Sequence, residues 1–180
     1  MTAAALASRR SLPPGEAFNR LAVEKDWYAR CDATLGFEHA ALAGLGELWH
    51  AKATHGLPKW RDFSPRDLAP HMPNMVLFEA VGGPRFRMRL LGTSLMRIYG
   101  PADGKFVDEH FSPPVAEVWH ASLGATLGAC VPLRFKGRVS YEASDFFRVE
   151  AVQMPLSETA SRADRVLLVM YLLEGPAQHS

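Results

Sequence analysis

The feature that most constrains the fold is the apolar run at residues 166–173, Val-Leu-Leu-Val-Met-Tyr-Leu-Leu. The run has the length of one β-strand, and it lacks the polar alternation of a strand that has one face in water. Both faces of this strand must therefore be covered. We expect the helices of the same domain on one face, and the N-terminal helix or a second subunit on the other.

Shorter patterns place the other elements around this strand. Residues 75–81 read as a strand that stops at Gly82-Gly83-Pro84, and residues 85–90 alternate arginine with apolar side chains. Helical spacing covers residues 18–31 and 37–55, and Ser64-Pro65 and Ser112-Pro113 each combine an N-cap with proline at the first helical position. Two more strands are predicted at residues 130–135 and 141–155, with a turn at 136–138 and an irregularity near Ala143 and Ser144.

This order of elements predicts an α+β fold. Two strands, a crossover of short helices and three further strands give a five-stranded antiparallel sheet with helices on one face. We divide the chain into a mobile N-terminal arm (1–17), an N-terminal helical extension (18–44), the main domain (45–175) and a tail (176–180).

Composition excludes several classes of protein. The net charge is +1, from 20 basic and 19 acidic side chains, so the chain lacks the broad basic surface of a nucleic-acid binder. Two cysteines, Cys31 and Cys130, do not make a disulfide scaffold. No apolar run approaches the roughly 20 residues of a membrane span, and no secretory signal opens the chain. We therefore expect a cytoplasmic protein that binds neither nucleic acid nor membrane.

Several short motifs, taken in order with their spacings, resemble a bacterial PAS subfamily of short, largely stand-alone proteins over residues 45–175. The motifs are Leu-Pro at 57–58, Arg-Asp-Phe-Ser-Pro-Arg-Asp-Leu at 61–68, Met-Pro-Asn at 72–74, Leu77, Arg-Phe-Arg-Met-Arg-Leu-Leu-Gly-Thr at 85–93, Tyr-Gly at 99–100 and Gly-Lys at 104–105. The resemblance implies a PAS fold around a small pocket. It also implies a sensor or adaptor rather than an enzyme. Such a protein signals by protein contact, and we expect a homodimer formed through the N-terminal helix and the sheet.

Flexible and aromatic side chains are the candidates for the walls of a ligand pocket. They are Met88, Met96, Tyr99, Phe111, Trp119, Phe147, Met154 and Met170, with Arg97 beside them. The same residues are equally suited to filling a core completely. Arg97 either binds a carboxylate or phosphate, or forms an ion pair with Asp103 or Asp108.

Two other functions stay open from the sequence. His110, or less favourably His120, lies where haem-binding PAS domains place their axial ligand, so a haem or redox sensor is one alternative. A small metabolic enzyme using the same pocket is the other. No recognisable nucleophile, metal motif or nucleotide-binding loop supports it, so we assign no catalytic or metal-binding residue and no required cofactor.

Two interpretations fit the three arginines of the alternating strand, Arg85, Arg87 and Arg89. These side chains form either a patch for an acidic partner or the solvated face of a strand, and the second interpretation is favoured.

Overall fold

A computed structural model describes residues 12–141, 145–159 and 162–176. Most of the predicted N-terminal arm and most of the tail lie outside these residues, as does the irregularity predicted near Ala143 and Ser144. The helices of the described part are α1 (Glu16–Glu24), α2 (Leu45–Lys52), α3 (Pro65–Leu68), α4 (Thr93–Tyr99), α5 (Val107–His110) and α6 (Pro113–Ala129). Short 3-10 helices occupy Ala40–Leu42, Trp60–Asp62 and Ala69–Asn74.

The strands form one antiparallel sheet, and the predicted α+β class is confirmed. They are β1 (Arg30–Asp32), β2 (Met75–Ala80), β3 (Phe86–Leu91), β4 (Leu133–Tyr141), β5 (Asp145–Leu156) and β6 (Arg165–Pro176). Their spatial order is β1-β4-β5-β6-β2-β3. Five strands are the predicted ones, and the sixth is the short β1, which pairs Cys31 with Phe135 at the edge of the sheet.

Strand β4 is longer than the sequence suggested. The predicted turn at 136–138 lies inside it, with Lys136 opposite Glu150 and Gly137 opposite Val149 on β5. Gly137 acts here as a point of close approach, since a Cβ at this position would lie 3.3 Å from the backbone oxygen of Tyr28. The glycine therefore marks a strand passing under another segment, rather than a turn.

The two predicted N-terminal helices are also shorter than expected. The first stops at Glu24, because Asp26 adopts a positive φ of 55° and turns the chain toward β1. The second divides into a 3-10 turn (Ala40–Leu42) and α2 on either side of Gly44, because glycine disfavours a continuous helix. The predicted start at Ser64-Pro65 is confirmed, with the Ser64 hydroxyl accepting the Asp67 amide at 3.2 Å.

Two apolar clusters cover opposite faces of the sheet. On one face, α4, α5 and α6 pack over side chains such as Phe78, Met88 and Leu168. On the other, residues 37–74, which we call the N-terminal layer, pack Leu42 and Trp49 over the second face. Helices therefore lie on both faces rather than on one. The prediction that both faces of the last strand are covered is confirmed, and the chain itself supplies the second cover.

A buried carboxylate holds the N-terminal layer to the sheet. Glu150 is fully buried on β5 and accepts backbone amides from Glu38 at 3.0 Å and His39 at 2.6 Å. Arg134 on β4 donates to the same carboxylate at 2.6 Å, so the buried charge is paired. Helix α1 lies elsewhere, at the β1 edge, where Phe18 packs against Phe135.

Among the helices that the structure describes, none has the length and apolar character needed to cross a membrane.

Candidate functional site

A cavity of about 420 Å³ lies between α4 and the far end of β6. Its position follows from the strand lengths. Pairing between β2 and β6 ends at Met75 opposite Val169, whereas β6 continues to Pro176. Beyond this point β6 has lost its β2 neighbour, and the 3-10 helix Ala69–Asn74 contacts it instead, for example through His71 and Tyr171.

The inner walls of the cavity are apolar. They are formed by Leu95, Ile98, Val139, Phe147, Met170 and Leu172. Leu95 and Met170 are buried, and the Tyr99 hydroxyl contacts the Met170 sulfur at 3.7 Å. Such a wall suits an apolar or aromatic ligand body.

Polar groups occupy the rim, where Asn74, Ser94, Arg97 and Tyr171 line the cavity. The Tyr171 hydroxyl is hydrogen-bonded to His71 Nδ1 at 2.9 Å. Burial raises the pKa of Tyr171, and a hydrogen bond with Asn74 partly offsets the rise. Burial also lowers the pKa of His71, so both partners are neutral near pH 7.

Tyr171 also touches the N-terminal layer. Its ring stacks on the ring of His39, with centroids 4.2 Å apart and planes inclined by 16°. His39 is the residue whose backbone amide donates to Glu150. Tyr171 thus lines the cavity and, through its ring, contacts the segment that Glu150 holds in place.

Arg97 is exposed at the rim and differs from the other arginines nearby. It has no ion pair or hydrogen bond with any side chain in residues 12–141, 145–159 and 162–176. The pairing with Asp108 that the sequence allowed does not form, because Asp108 binds Arg85 at 3.1 Å. The guanidinium group of Arg97 therefore keeps its hydrogen-bond donors for another partner.

The rest of this face of the sheet is closed by aromatic rings. Tyr99 and Phe111 make an edge-on contact at 5.4 Å, and Phe111 stacks on Trp119 at 5.9 Å. Trp119 in turn lies 5.5 Å from Phe78 on β2. Burial raises the pKa of Tyr99, so its hydroxyl stays protonated.

The predicted pocket residues divide into three groups. Arg97, Phe147 and Met170 line the cavity. Five others belong to the packed core on the same face: Met88, Met96, Tyr99, Phe111 and Trp119. Met154 differs from the prediction most, because it lies fully buried on the opposite face under the N-terminal layer.

Sequence reasoning missed most of the residues that line the cavity. Ser94, Leu95 and Ile98 share one stripe of α4 through their three- and four-residue spacing, and that signal was present in the sequence. No comparable sequence pattern predicted that Tyr171 and Asn74 line the cavity. They meet only because β2 begins at Met75 while β6 runs on beside it.

His110 does not fit the role of a haem ligand. Its Nε2 atom lies 2.7 Å from the backbone carbonyl oxygen of Tyr99, so this nitrogen donates its proton there and has no lone pair for iron. The ring also packs edge-on against Phe111 and is absent from the cavity wall. Within the described residues, no group of three potential metal ligands is found.

The arginine row of β3 is largely neutralised by its own chain. Arg85 binds Asp108 and Glu109 and lies 3.9 Å over the ring of Phe106, while Arg89 lies 3.8 Å from Glu79. These contacts favour the interpretation that the arginines form the solvated face of a strand, rather than a patch for an acidic partner.

Comparison with known proteins gives a family match over most of the chain. A family model described as the PAS domain matches residues 37–171. One solved structure that matches is that of an RNA-binding Light-Oxygen-Voltage receptor, at 15% identity and a TM-score of 0.40. The match covers 66% of this chain and only 36% of the receptor. No curated protein matches the sequence.

Proposed function

Since the chain belongs to the PAS-domain family, we propose that it is a sensory adaptor that binds a small ligand beside α4 and signals by protein contact. The PAS fold expected from the sequence is confirmed by the family match. The proposal adds a ligand site, an output surface and a mode of signalling. It assigns no catalytic step to the chain, and turnover on a panel of metabolites would contradict it on that point.

One observation carries the proposal: Tyr171 lines the cavity and also stacks on His39. A ligand that shifts Tyr171 changes the contact between β6 and the N-terminal layer. A ligand biases an equilibrium only through unequal affinity for two states. Tyr171, shared by the cavity and the N-terminal layer, is where such a difference would act. His39 also donates its backbone amide to Glu150, whose partner Arg134 binds Asp32 at 3.0 Å, and this chain of contacts links the segment around His39 to the β1 edge.

We place the output surface on the outer side of α1 and the turn after it. The inner side of α1 is used within the chain, where Phe18 and Ala22 are buried. Val23 and Tyr28 remain 67% and 68% exposed. The N-terminal layer and α4–α6 already cover the two faces of the sheet, so a partner or second copy would bind on this outer side of α1.

We also assign the chain to the cytoplasm, in keeping with its unpaired thiols. Neither Cys31 nor Cys130 is in a disulfide, and burial raises the pKa of Cys31 to about 12, so it stays a thiol.

A native mass spectrum of the chain tests ligand and assembly together. We expect added mass from a retained small molecule, lost on denaturation. Ile98→Trp, which fills the cavity, should lose it, whereas Val115→Trp on the exposed side of α6 should keep it. Circular dichroism shows whether each variant is folded. Equal retention by folded Ile98→Trp would show that the ligand lies elsewhere, and the cavity would lose its assigned role.

A further inference from the structure

The charge around the cavity identifies the class of ligand. Arg97 is the single cation among the lining residues that the structure describes, and none of those residues is Asp or Glu. We propose that the cavity binds a monocarboxylate with an apolar body, whose carboxylate is held by Arg97. This inference rests on the proposed function, because it names the ligand of the same site.

The rim offers the donors that a carboxylate needs. A guanidinium group presents parallel N–H donors that match the two carboxylate oxygens. Arg97 has these donors available, since it forms no ion pair within the described part of the chain. The Ser94 hydroxyl and Asn74 amide line the same rim and can complete the set.

The remaining walls limit the ligand to a single charge and a modest size. One guanidinium neutralises one carboxylate, whereas a phosphate dianion would retain charge against the apolar walls formed by Ile98, Met170 and Leu172. The volume of about 420 Å³ lies at the small end of ligand pockets, which span roughly 300–1,000 Å³. A medium-chain or arylalkyl monocarboxylate satisfies both limits.

Calorimetric titration of the full chain tests the assignment. The probes are octanoate, decanoate and 3-phenylpropionate, each paired with its neutral amide, and inorganic phosphate as a charge-only control. We expect at least one carboxylate to bind about tenfold more tightly than its amide. Phosphate alone should not bind, because it lacks the apolar body.

Three variants test whether the ligand carboxylate binds Arg97. Arg97→Gln should reduce carboxylate affinity to that of the amide, and Arg97→Lys should recover part of the difference. Arg66→Gln, which removes an exposed arginine of α3 that does not line the cavity, should leave both affinities unchanged. Because Arg97 is exposed, added salt should weaken carboxylate binding in the parent chain and have little effect in Arg97→Gln.

The outcomes separate this inference from the function on which it rests. Amides that bind as tightly as carboxylates, or carboxylate binding unchanged in Arg97→Gln, would overturn the monocarboxylate while leaving an apolar ligand site intact. Tight binding of phosphate would also overturn it. If no probe binds and the native mass spectrum retains no molecule, the ligand site itself fails with it.

Discussion

Two regions on the same face of the sheet are built differently. The closed region lies under α6, where Trp119 and Leu123 pack onto the strands. The open region is the cavity beside α4. Helix α6 has 17 residues and spans the sheet, whereas α4 has seven and β2 stops short of the end of β6. This difference in element length accounts for the cavity in the open region.

The two regions also differ in whether their polar side chains have hydrogen-bond partners within the chain. In the closed region, the Gln153 amide donates to the Ser122 hydroxyl at 3.1 Å, and Thr126 donates to the Gln153 oxygen at 2.8 Å. In the open region, Arg97 has no hydrogen bond or ion pair with a side chain among the described residues. Substitutions in the closed region should therefore cost stability, and those in the open region should cost mainly binding.

The sharpest test compares two buried leucines of that face. Leu123 lies on α6 and is fully buried, whereas Leu95 is 1% exposed and lines the cavity. Leu123→Ala should lower the free energy of unfolding by about 3–4 kcal/mol, because it opens a new void. Leu95→Ala should cost about 2 kcal/mol, because one side of Leu95 already lacks contacts. Urea denaturation of both variants measures the difference.

Equal losses in the two leucine variants would mean that the cavity wall is packed as tightly as the core. The distinction between closed and open regions would then not hold.

The second test removes one hydrogen bond from the closed region. Thr126→Val keeps the shape of the side chain and leaves the buried Gln153 oxygen without its donor. We expect a loss of about 1–3 kcal/mol in the free energy of unfolding. Thr54→Val, at an exposed position after α2, is the matched control and should be nearly neutral.

Adding Gln153→Leu to Thr126→Val removes the orphaned oxygen, so the double variant should regain part of the loss. No coupling between the two substitutions would show that this pair contributes little.

Local signals in the sequence predicted much of the closed region. Ser112-Pro113 marked the start of α6, and the alternation at residues 85–90 marked β3. Each depends on neighbouring residues, so one sequence suffices to see it. The apolar run at 166–173 likewise showed that both faces of the last strand are covered.

The open region depends on contacts between distant segments. Tyr171 contacts His71, which lies 100 residues earlier in the chain, and also His39, which lies earlier still. Both contacts depend on the register of β6 against β2. Hydropathy does not encode that register. Met154 shows the same limit, because its side of β5 follows from strand pairing rather than from its residue type.

The third test acts where the open region meets the N-terminal layer. Tyr171→Phe keeps the ring stacked on His39 and removes the hydroxyl bonded to His71. We expect a loss of about 1 kcal/mol in the free energy of unfolding. Hydrogen exchange at residues 38–42 should also rise, because the layer is held less firmly. Tyr28→Phe, at an exposed tyrosine, should change neither measurement. Unchanged exchange at residues 38–42 would remove Tyr171 as the link between the cavity and the N-terminal layer.

The smallest expected effect is the pH dependence of His71. Burial lowers its pKa in the folded chain below the usual value of about 6.5, so the unfolded chain binds the proton more readily. The stabilising contribution is therefore complete above about pH 6.5 and is lost as the pH falls toward the folded pKa. We expect a change below about 1 kcal/mol, because His71 is only partly buried.

Urea denaturation between about pH 7.5 and about pH 5.5 measures this contribution. Hydrogen bonds from Thr34 and Ser64 lower the pKa of Asp32 and Asp67 respectively, so these carboxylates titrate below that range. His71→Gln should therefore lose less stability on acidification than the parent chain, while His55→Gln, at an exposed histidine, should follow the parent. If His71→Gln and the parent lose stability in parallel, protonation of His71 does not change the stability of the chain, and the hydrogen bond between His71 and Tyr171 gives the open region no pH dependence.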